Sequence, residues 1–294
     1  MYREIFQRNY GVFSETEQNS IRNARVMIVG CGEVGGSAAI ILARSGVEHF
    51  LLVDDDVFEL SNINRQAGSY IDTMGMSKID VLREEILRIN PETDIELIKE
   101  RIKPEALARC LKGKDALLSS ADDFAYSIIA SRIAKALCVP SVIGFPMGSL
   151  VRVWSTTEDS PDIEEHFDLP TGLDYEELHR ILTGENQKTV CSSWYSRKAD
   201  WSAEWASLYS SSSLPATQIA PMTWVASSLA ALEILKLITH RWEPVVFPRY
   251  WRITPTDTGI KEFVSHSDKD EGDEDGGDKG GGKLDAEQEK TLIP

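Results

Sequence analysis

The residues best suited to chemistry lie in the first half of the chain. Gly30-Cys31-Gly32-Glu33-Val34-Gly35 is a G-x-G-x-x-G turn. Gly30 and Gly32 permit a tight turn and close backbone approach, Gly35 permits helix–strand packing, and the helix that follows aims its first amides at a phosphate. Asp54 lies 19 residues beyond Gly35, where an acid can hydrogen-bond a ribose. NAD and ATP both carry an adenosine ribose, so this much leaves both open. The next segment separates them. Asp54-Asp55-Asp56 is followed by Ser61-Asn62-Ile63-Asn64-Arg65-Gln66, and Lys78 stands 13 residues after Arg65. Hydride transfer calls for an apolar nicotinamide pocket. Expulsion of pyrophosphate calls for cations, because charge builds on the leaving oxygens. The bland alternatives are a glycine turn with no ligand and two solvated surface charges.

These residues need elements to hold them. Residues 14–23 read as a short helix with Ser14 as N-cap and Glu17 completing a capping box. Arg25–Val29 is a compact apolar run suited to a buried parallel strand. The glycine turn comes next, then a helix over Ser37–Ser45 and a strand over His49–Val53. Helices follow at Met76–Ile89, Pro104–Leu111 and Phe124–Leu137. Strands are expected at Asp94–Lys99, Ala116–Ser119 and Ser141–Phe145, the last closed by Pro146. Repeated βα units imply an α/β fold: a doubly wound, Rossmann-like, mainly parallel sheet with helices on both faces.

After Trp154 the pattern dissolves into a long irregular insertion with one clear helix, Asp174–Leu182. A helix over Pro221–His240 and a closing strand over Val245–Ile253 complete the expected domain, residues 1–264, whose two parts are 1–154 and 155–264. Residues 265–294 are acidic and Gly-rich and are expected to be disordered.

At this point the chain resembles the ThiF/MoeB/HesA family, prokaryotic relatives of ubiquitin-activating enzymes. The resemblance covers residues 5–155 and 214–240. It rests on the glycine turn, the acids at Asp54 and Asp56, the Ser61–Gln66 string, Lys78, Ile89-Asn90-Pro91, Ser119-Ser120-Ala121-Asp122-Asp123 and the helix after Ala220-Pro221. It implies an adenylyltransferase that joins a carboxylate to AMP and releases pyrophosphate. By position Asp54 holds the ATP ribose, Asn62, Arg65 and Lys78 the phosphates, and Asp122 a Mg²⁺ ion. Asp56 and Gln66 belong to the same nucleotide-binding set. Mg²⁺ takes one or two carboxylates plus phosphate oxygens, which suits a single Asp at a strand tip, although Asp122 equally suits a helix N-cap. The resemblance also brings an N-terminal Arg into a neighbouring subunit's site, with Arg8 the first candidate and Arg3 the second, so a homodimer is expected. The substrate it leads us to expect is a small ubiquitin-fold sulfur-carrier protein ending in Gly-Gly. Relatives act instead on a peptide, a small-molecule carboxylate or a modified tRNA base, and a non-catalytic nucleotide-binding scaffold is the remaining reading.

The second half departs from that pattern. Many relatives carry paired CxxC zinc motifs, but Cys31, Cys110, Cys138 and Cys191 are widely separated and no zinc site is expected. Cys191 is the candidate thiol for a thioester or persulfide, against an incidental role. Trp194, Trp201, Trp205 and Tyr209 recur at near-helical spacing, suited to internal packing or to a partner's tail. A carboxylate substrate is its own nucleophile, consistent with five histidines that form no evident cluster. The 31 basic and 47 acidic residues leave a net charge of −16, which weighs against nucleic-acid binding. No apolar run approaches the about 18 to 20 residues that span a bilayer, and no secretory signal opens the chain. A cytoplasmic location without a membrane is the expectation.

Overall fold

The computed structural model describes residues 1–167, 169–183, 202, 205 and 217–263. An eight-stranded sheet runs through it in the order β3-β2-β1-β4-β5-β6-β7-β8. β1 (Arg25–Val29), β2 (His49–Val53), β3 (Asp94–Ile98), β4 (Ala116–Ser119) and β5 (Ser141–Met147) are parallel. β6 (Leu150–Thr156), β7 (Arg249–Ile253) and β8 (Thr258–Glu262) continue it antiparallel.

Side-chain alternation along β1 divides the core. Val26 and Ile28 face a layer made by α3 (Glu33–Ser45), α4 (Lys78–Ile89) and α9 (Ala220–Thr239). Met27 and Val29 face α5 (Pro104–Leu111) and α6 (Phe124–Ala136). Both faces of β1, β2 and β4 are covered, which is why they read as continuous apolar runs, whereas the edge strand β3 is half exposed and alternates. A third cluster packs the outer side of α6 against Trp154, α7 (Ile163–His166) and α8 (Tyr175–Thr183). Near the N-terminus lies α1 (Tyr2–Ile5), and α2 (Glu15–Asn23) carries the expected Ser14–Glu17 capping box.

Several boundaries differ from the sequence expectation. α3 begins at Glu33, directly on the glycine turn, rather than at Ser37. α4 begins at Lys78 rather than Met76. β5 passes through Pro146 because β4 pairs only as far as Ile143, so beyond that point no ladder on that side needs a proline N–H. Its turn at Gly148 leads into β6, whose apolar residues are buried on both faces and therefore show no alternation. The closing strand is only Arg249–Ile253; Pro248 cannot donate to a ladder, and a second strand, β8, follows it.

The expectation that no apolar run approaches a bilayer span is also corrected. Ala220–Thr239 is a 20-residue helix long and apolar enough to cross a membrane. Here Ala226, Ala230, Ala231 and Ile234 are fully buried against the sheet layer, as in a core helix. Its fully buried Glu233 accepts hydrogen bonds from Ser155 Oγ (3.1 Å), Val245 N (2.8 Å), Trp251 Nε1 (2.7 Å) and Lys236 Nζ (2.6 Å). Glu233→Ala would strand these donors and leave the buried Lys236 unpaired. A loss of about 3–5 kcal/mol is expected in urea unfolding, and a loss below about 1 kcal/mol would contradict this staple.

Candidate functional site

The order β3-β2-β1-β4 places a switch point beside β1, and a cavity of about 320 Å³ opens there at the carboxyl ends of the strands. Val29 and Gly30 contribute from β1 and its turn, Val53 and Asp54 from β2, and Ser120 to Asp122 from the turn after β4. Gly30 has φ of +79°, and a Cβ there would lie 2.5 Å from Ser120 O. Gly35 N donates to Ser120 Oγ at 3.1 Å, which joins the α3 terminus to the same turn. The cavity is therefore bounded by backbone that only glycine permits.

Cations and acids alternate along its wall. Asp54 Oδ2 accepts from Cys31 N (2.6 Å) and Oδ1 from Asp56 N (2.8 Å). Burial pushes this carboxyl up, while the two amides pull it back. Lys78 is buried, and its Nζ reaches Asp56 Oδ2 at 2.8 Å. Arg65 Nε donates to Glu33 Oε2 at 2.5 Å, and its Nη1 donates to Ser61 O and Asn64 Oδ1, both at 2.9 Å. Burial pushes the Glu33 carboxyl up to about 7 despite the Arg65 guanidinium beside it. Its other oxygen accepts from Gln218 Nε2 at 2.7 Å. Gln66 is buried beside Gly32, and its Oε1 has no partner among the described residues. The unpartnered Gln66 Oε1 seeks a hydrogen-bond donor such as a ribose hydroxyl or a base N–H, while Arg65 and Lys78 offer donors to phosphate, and the two needs together fit a nucleotide.

The two adjacent acids after β4 divide their tasks. Asp123 caps α6, accepting from Tyr126 N at 3.3 Å, so the cap is not Asp122. Asp123 Oδ2 also accepts from Arg101 Nη2 (2.7 Å) and Tyr175 OH (2.7 Å), and His179 Nδ1 stands 3.1 Å from it. This ties α8 to the cavity rim. Asp122 is exposed, lines the cavity and makes no hydrogen bond or ion pair among the described residues. That leaves its carboxylate oxygens for a hard cation. Asp54, Asp55 and Asp56 also bring ligand atoms within 4.8 Å of one another; each Asp54 oxygen accepts one amide and keeps a lone pair, and Asp56 is paired with Lys78.

Of the residues singled out from sequence, Gly30, Gly32, Asp54, Asp56, Arg65, Gln66, Lys78 and Asp122 line this one cavity. Gly35 sits behind it as packing. Asn62 does not line it: its Oδ1 accepts from Glu59 N at 3.0 Å and fixes its own turn. Arg8 is exposed and outside the cavity lining, and Arg3 is paired with Glu15. Cys31 is fully buried, which pushes its thiol up and leaves it a packing residue. Cys191, Trp194, Trp201 and Tyr209 lie outside the described residues, as does the acidic tail. Sequence reasoning missed Glu33, Arg101, Asp123 and Tyr126. The first carried one available signal, a charged residue inside a glycine turn.

Fold and site together define a doubly wound protein with a charged, glycine-bounded cavity at its switch point. The profile of the ThiF family matches residues 6–273, and the chain belongs to that family. It is 27% identical to the molybdopterin-synthase adenylyltransferase of Salmonella typhimurium over 244 residues, 82% of each chain. It is 34% identical to the tRNA threonylcarbamoyladenosine dehydratase of Bacillus subtilis over 124 residues, 42% of this chain and about half (49%) of that protein. Its fold is similar to E. coli MccB solved with AMPCPP and MccA, with TM-score 0.64 and 22% identity over 85% of this chain and 66% of MccB. PaaA superposes with TM-score 0.67 at 20% identity, over 89% of this chain and 83% of PaaA.

Proposed function

We propose that the chain is an ATP-dependent adenylyltransferase acting on the C-terminal carboxylate of a small ubiquitin-fold sulfur-carrier protein ending in Gly-Gly. One observation carries the reading: Arg65, Lys78, Asp54 and Asp122 meet around a glycine turn in a single cavity. A substrate carboxylate oxygen forms a bond to the α-phosphorus while the α–β phosphoanhydride bond breaks. Pyrophosphate leaves with the electron pair. The carboxylate is already ionised, so the site needs no general base, and its work is positioning and charge neutralisation. Arg65 and Lys78 receive the charge that builds on the leaving oxygens, and Asp54 orients the ribose. Asp122 would hold Mg²⁺, which supplies charge neutralisation at the phosphates when bound.

The carrier is favoured by the near full-length match to a molybdopterin-synthase adenylyltransferase. The higher identity of the shorter match to a tRNA-modifying dehydratase supports the same chemistry on a nucleic-acid carboxylate as second reading. Net charge of −16 opposes it. The reading also includes a homodimer in which Arg8 enters the neighbouring cavity, since Arg3 is already engaged by Glu15.

ATP–pyrophosphate exchange in the presence of Mg²⁺ tests the substrate, with Gly-Gly-ended ubiquitin-fold proteins, peptides and tRNA assayed in parallel. Exchange that appears only with a carrier is the expected result; exchange with tRNA or peptide alone would replace the carrier. Asp122→Asn should lower carrier-dependent exchange by about 10²-fold, the scale of losing one preorganised electrostatic group. Its melting temperature should stay near that of the wild type, because the helix cap belongs to Asp123. Near-normal exchange in this variant would remove Asp122 from the site.

A further inference from the structure

Every cation lining the cavity is held by an acid lining the same cavity: Arg65 by Glu33, Lys78 by Asp56 and Arg101 by Asp123. Two of these acids are well exposed or serve a helix cap. Glu33 is different. It is the first residue of α3, directly on the glycine turn, and its side chain is 13% exposed against 21% for Arg65. A charge-assisted bond between two groups so shielded from water is far stronger than a surface ion pair. Glu33 is also oriented from behind. Gln218 Nε2 donates to its second oxygen and to Pro146 O (3.2 Å), while Asn64 Nδ2 donates to Gln218 O (3.1 Å). The carboxylate is fixed by the segment that leads into α9 and cannot simply follow the guanidinium toward a ligand.

We propose that Glu33 is a positioning residue that competes with the nucleotide for Arg65, so that a bound triphosphate must draw the guanidinium away from it. The inference rests on the reading of this cavity as the ATP site. Glu33 sets how tightly the phosphates are held, because its carboxylate and theirs seek the same donor and repel one another. Arg65 keeps its side-chain contacts to Ser61 O and Asn64 Oδ1, which hold it at the cavity while the partner at Nε changes.

The test is the Kd of ATP with MgCl₂, measured by titration calorimetry on the full chain. Glu33→Gln keeps the shape and removes the charge, and is expected to bind ATP about tenfold tighter, which corresponds to about 1.4 kcal/mol of relieved competition. In an Arg65→Ala background the same substitution should change Kd less than about twofold, since the contested donor is gone. If Glu33→Gln does not fold by circular dichroism, Glu33→Ala is read in the same way. Unchanged or weaker binding would overturn the competition, as a purely structural Glu33 requires. Tightening that persists without Arg65 would also overturn it, leaving plain repulsion. No ATP binding by the wild-type chain would instead defeat the reading of the cavity on which the inference rests.

Discussion

Arg65→Ala should lower carrier-dependent ATP–pyrophosphate exchange by about 10²- to 10³-fold, the loss typical of removing one preorganised donor from developing charge. The residue is built for that task. It lines the cavity, and its Nε and Nη1 are oriented there by Glu33, Ser61 and Asn64. The turn that carries it does not depend on its side chain. Trp224 Nε1 donates to Arg65 O at 2.9 Å, and Gln66 N donates to Asn62 O at 2.9 Å, and both bonds survive truncation. Glu33 loses its partner, but a carboxyl already pushed up to about 7 can take a proton instead of remaining a buried charge. The variant should therefore fold with a melting temperature close to the wild type while losing the reaction. A folded Arg65→Ala protein with near-normal exchange would show that the leaving charge is neutralised elsewhere.

Gly35→Ala should be the most damaging single-methyl change in the nucleotide half. In a helix interior alanine is ordinarily favoured over glycine by about 1 kcal/mol. Here the added Cβ would lie 1.9 Å from Gly30 O and 3.0 Å from Ile28 Cγ2. The first neighbour is backbone of the phosphate turn itself and has no side-chain freedom with which to yield. Either α3 moves off β1 or the turn opens, and both disperse the amides and the Glu33–Arg65 pair. A loss of about 3 kcal/mol or more in denaturant unfolding, with loss of ATP binding, is expected, at or above the upper end for overpacking. Gly32→Ala is the contrast. Its Cβ would meet only the Gln66 side-chain amide, with Nε2 nearest at 3.6 Å, an ordinary contact with a flexible side chain, so its stability should change by less than about 1 kcal/mol. Equal stability losses at the two positions would contradict this account of the turn.

How much of this could be read from sequence follows from how each residue is held. β1, β2, β4 and β5 were legible as apolar runs set between turns and helical segments, and the half-exposed edge strand β3 by its alternation. The glycine turn, Asp54, Arg65, Lys78 and Asp122 could be singled out together by residue type and spacing, and the fold brings all of them to one cavity. β6 was not legible, because a strand buried on both faces looks like any apolar run, and Pro146 ahead of it reads as a stop. Asp123 was confused with Asp122 because either acid can cap a helix beginning at Phe124, and only the bond from Tyr126 N decides. Glu33 escaped for a different reason. Its partners are Arg65, 32 residues away, and Gln218, 185 residues away, and no local pattern connects them. Arg101 and Tyr126 likewise reach the cavity only through the packing of α5, α6 and α8. Asn62, in the same string, lies outside the cavity lining with its Oδ1 engaged by its own turn, a partner set by the local fold that spacing does not reveal.

The central claim is that this cavity splits ATP between the α- and β-phosphates. The most direct measurement is the nucleotide product formed when the chain, Mg²⁺ and a Gly-Gly-ended carrier turn over ATP, resolved by anion-exchange chromatography. Pyrophosphate matched by carrier-bound AMP, which hydrolysis of the acyl-adenylate releases as free AMP, and formed only when the carrier is present, is the predicted result. ADP and inorganic phosphate would contradict the account, because they place the broken bond at the γ-phosphate.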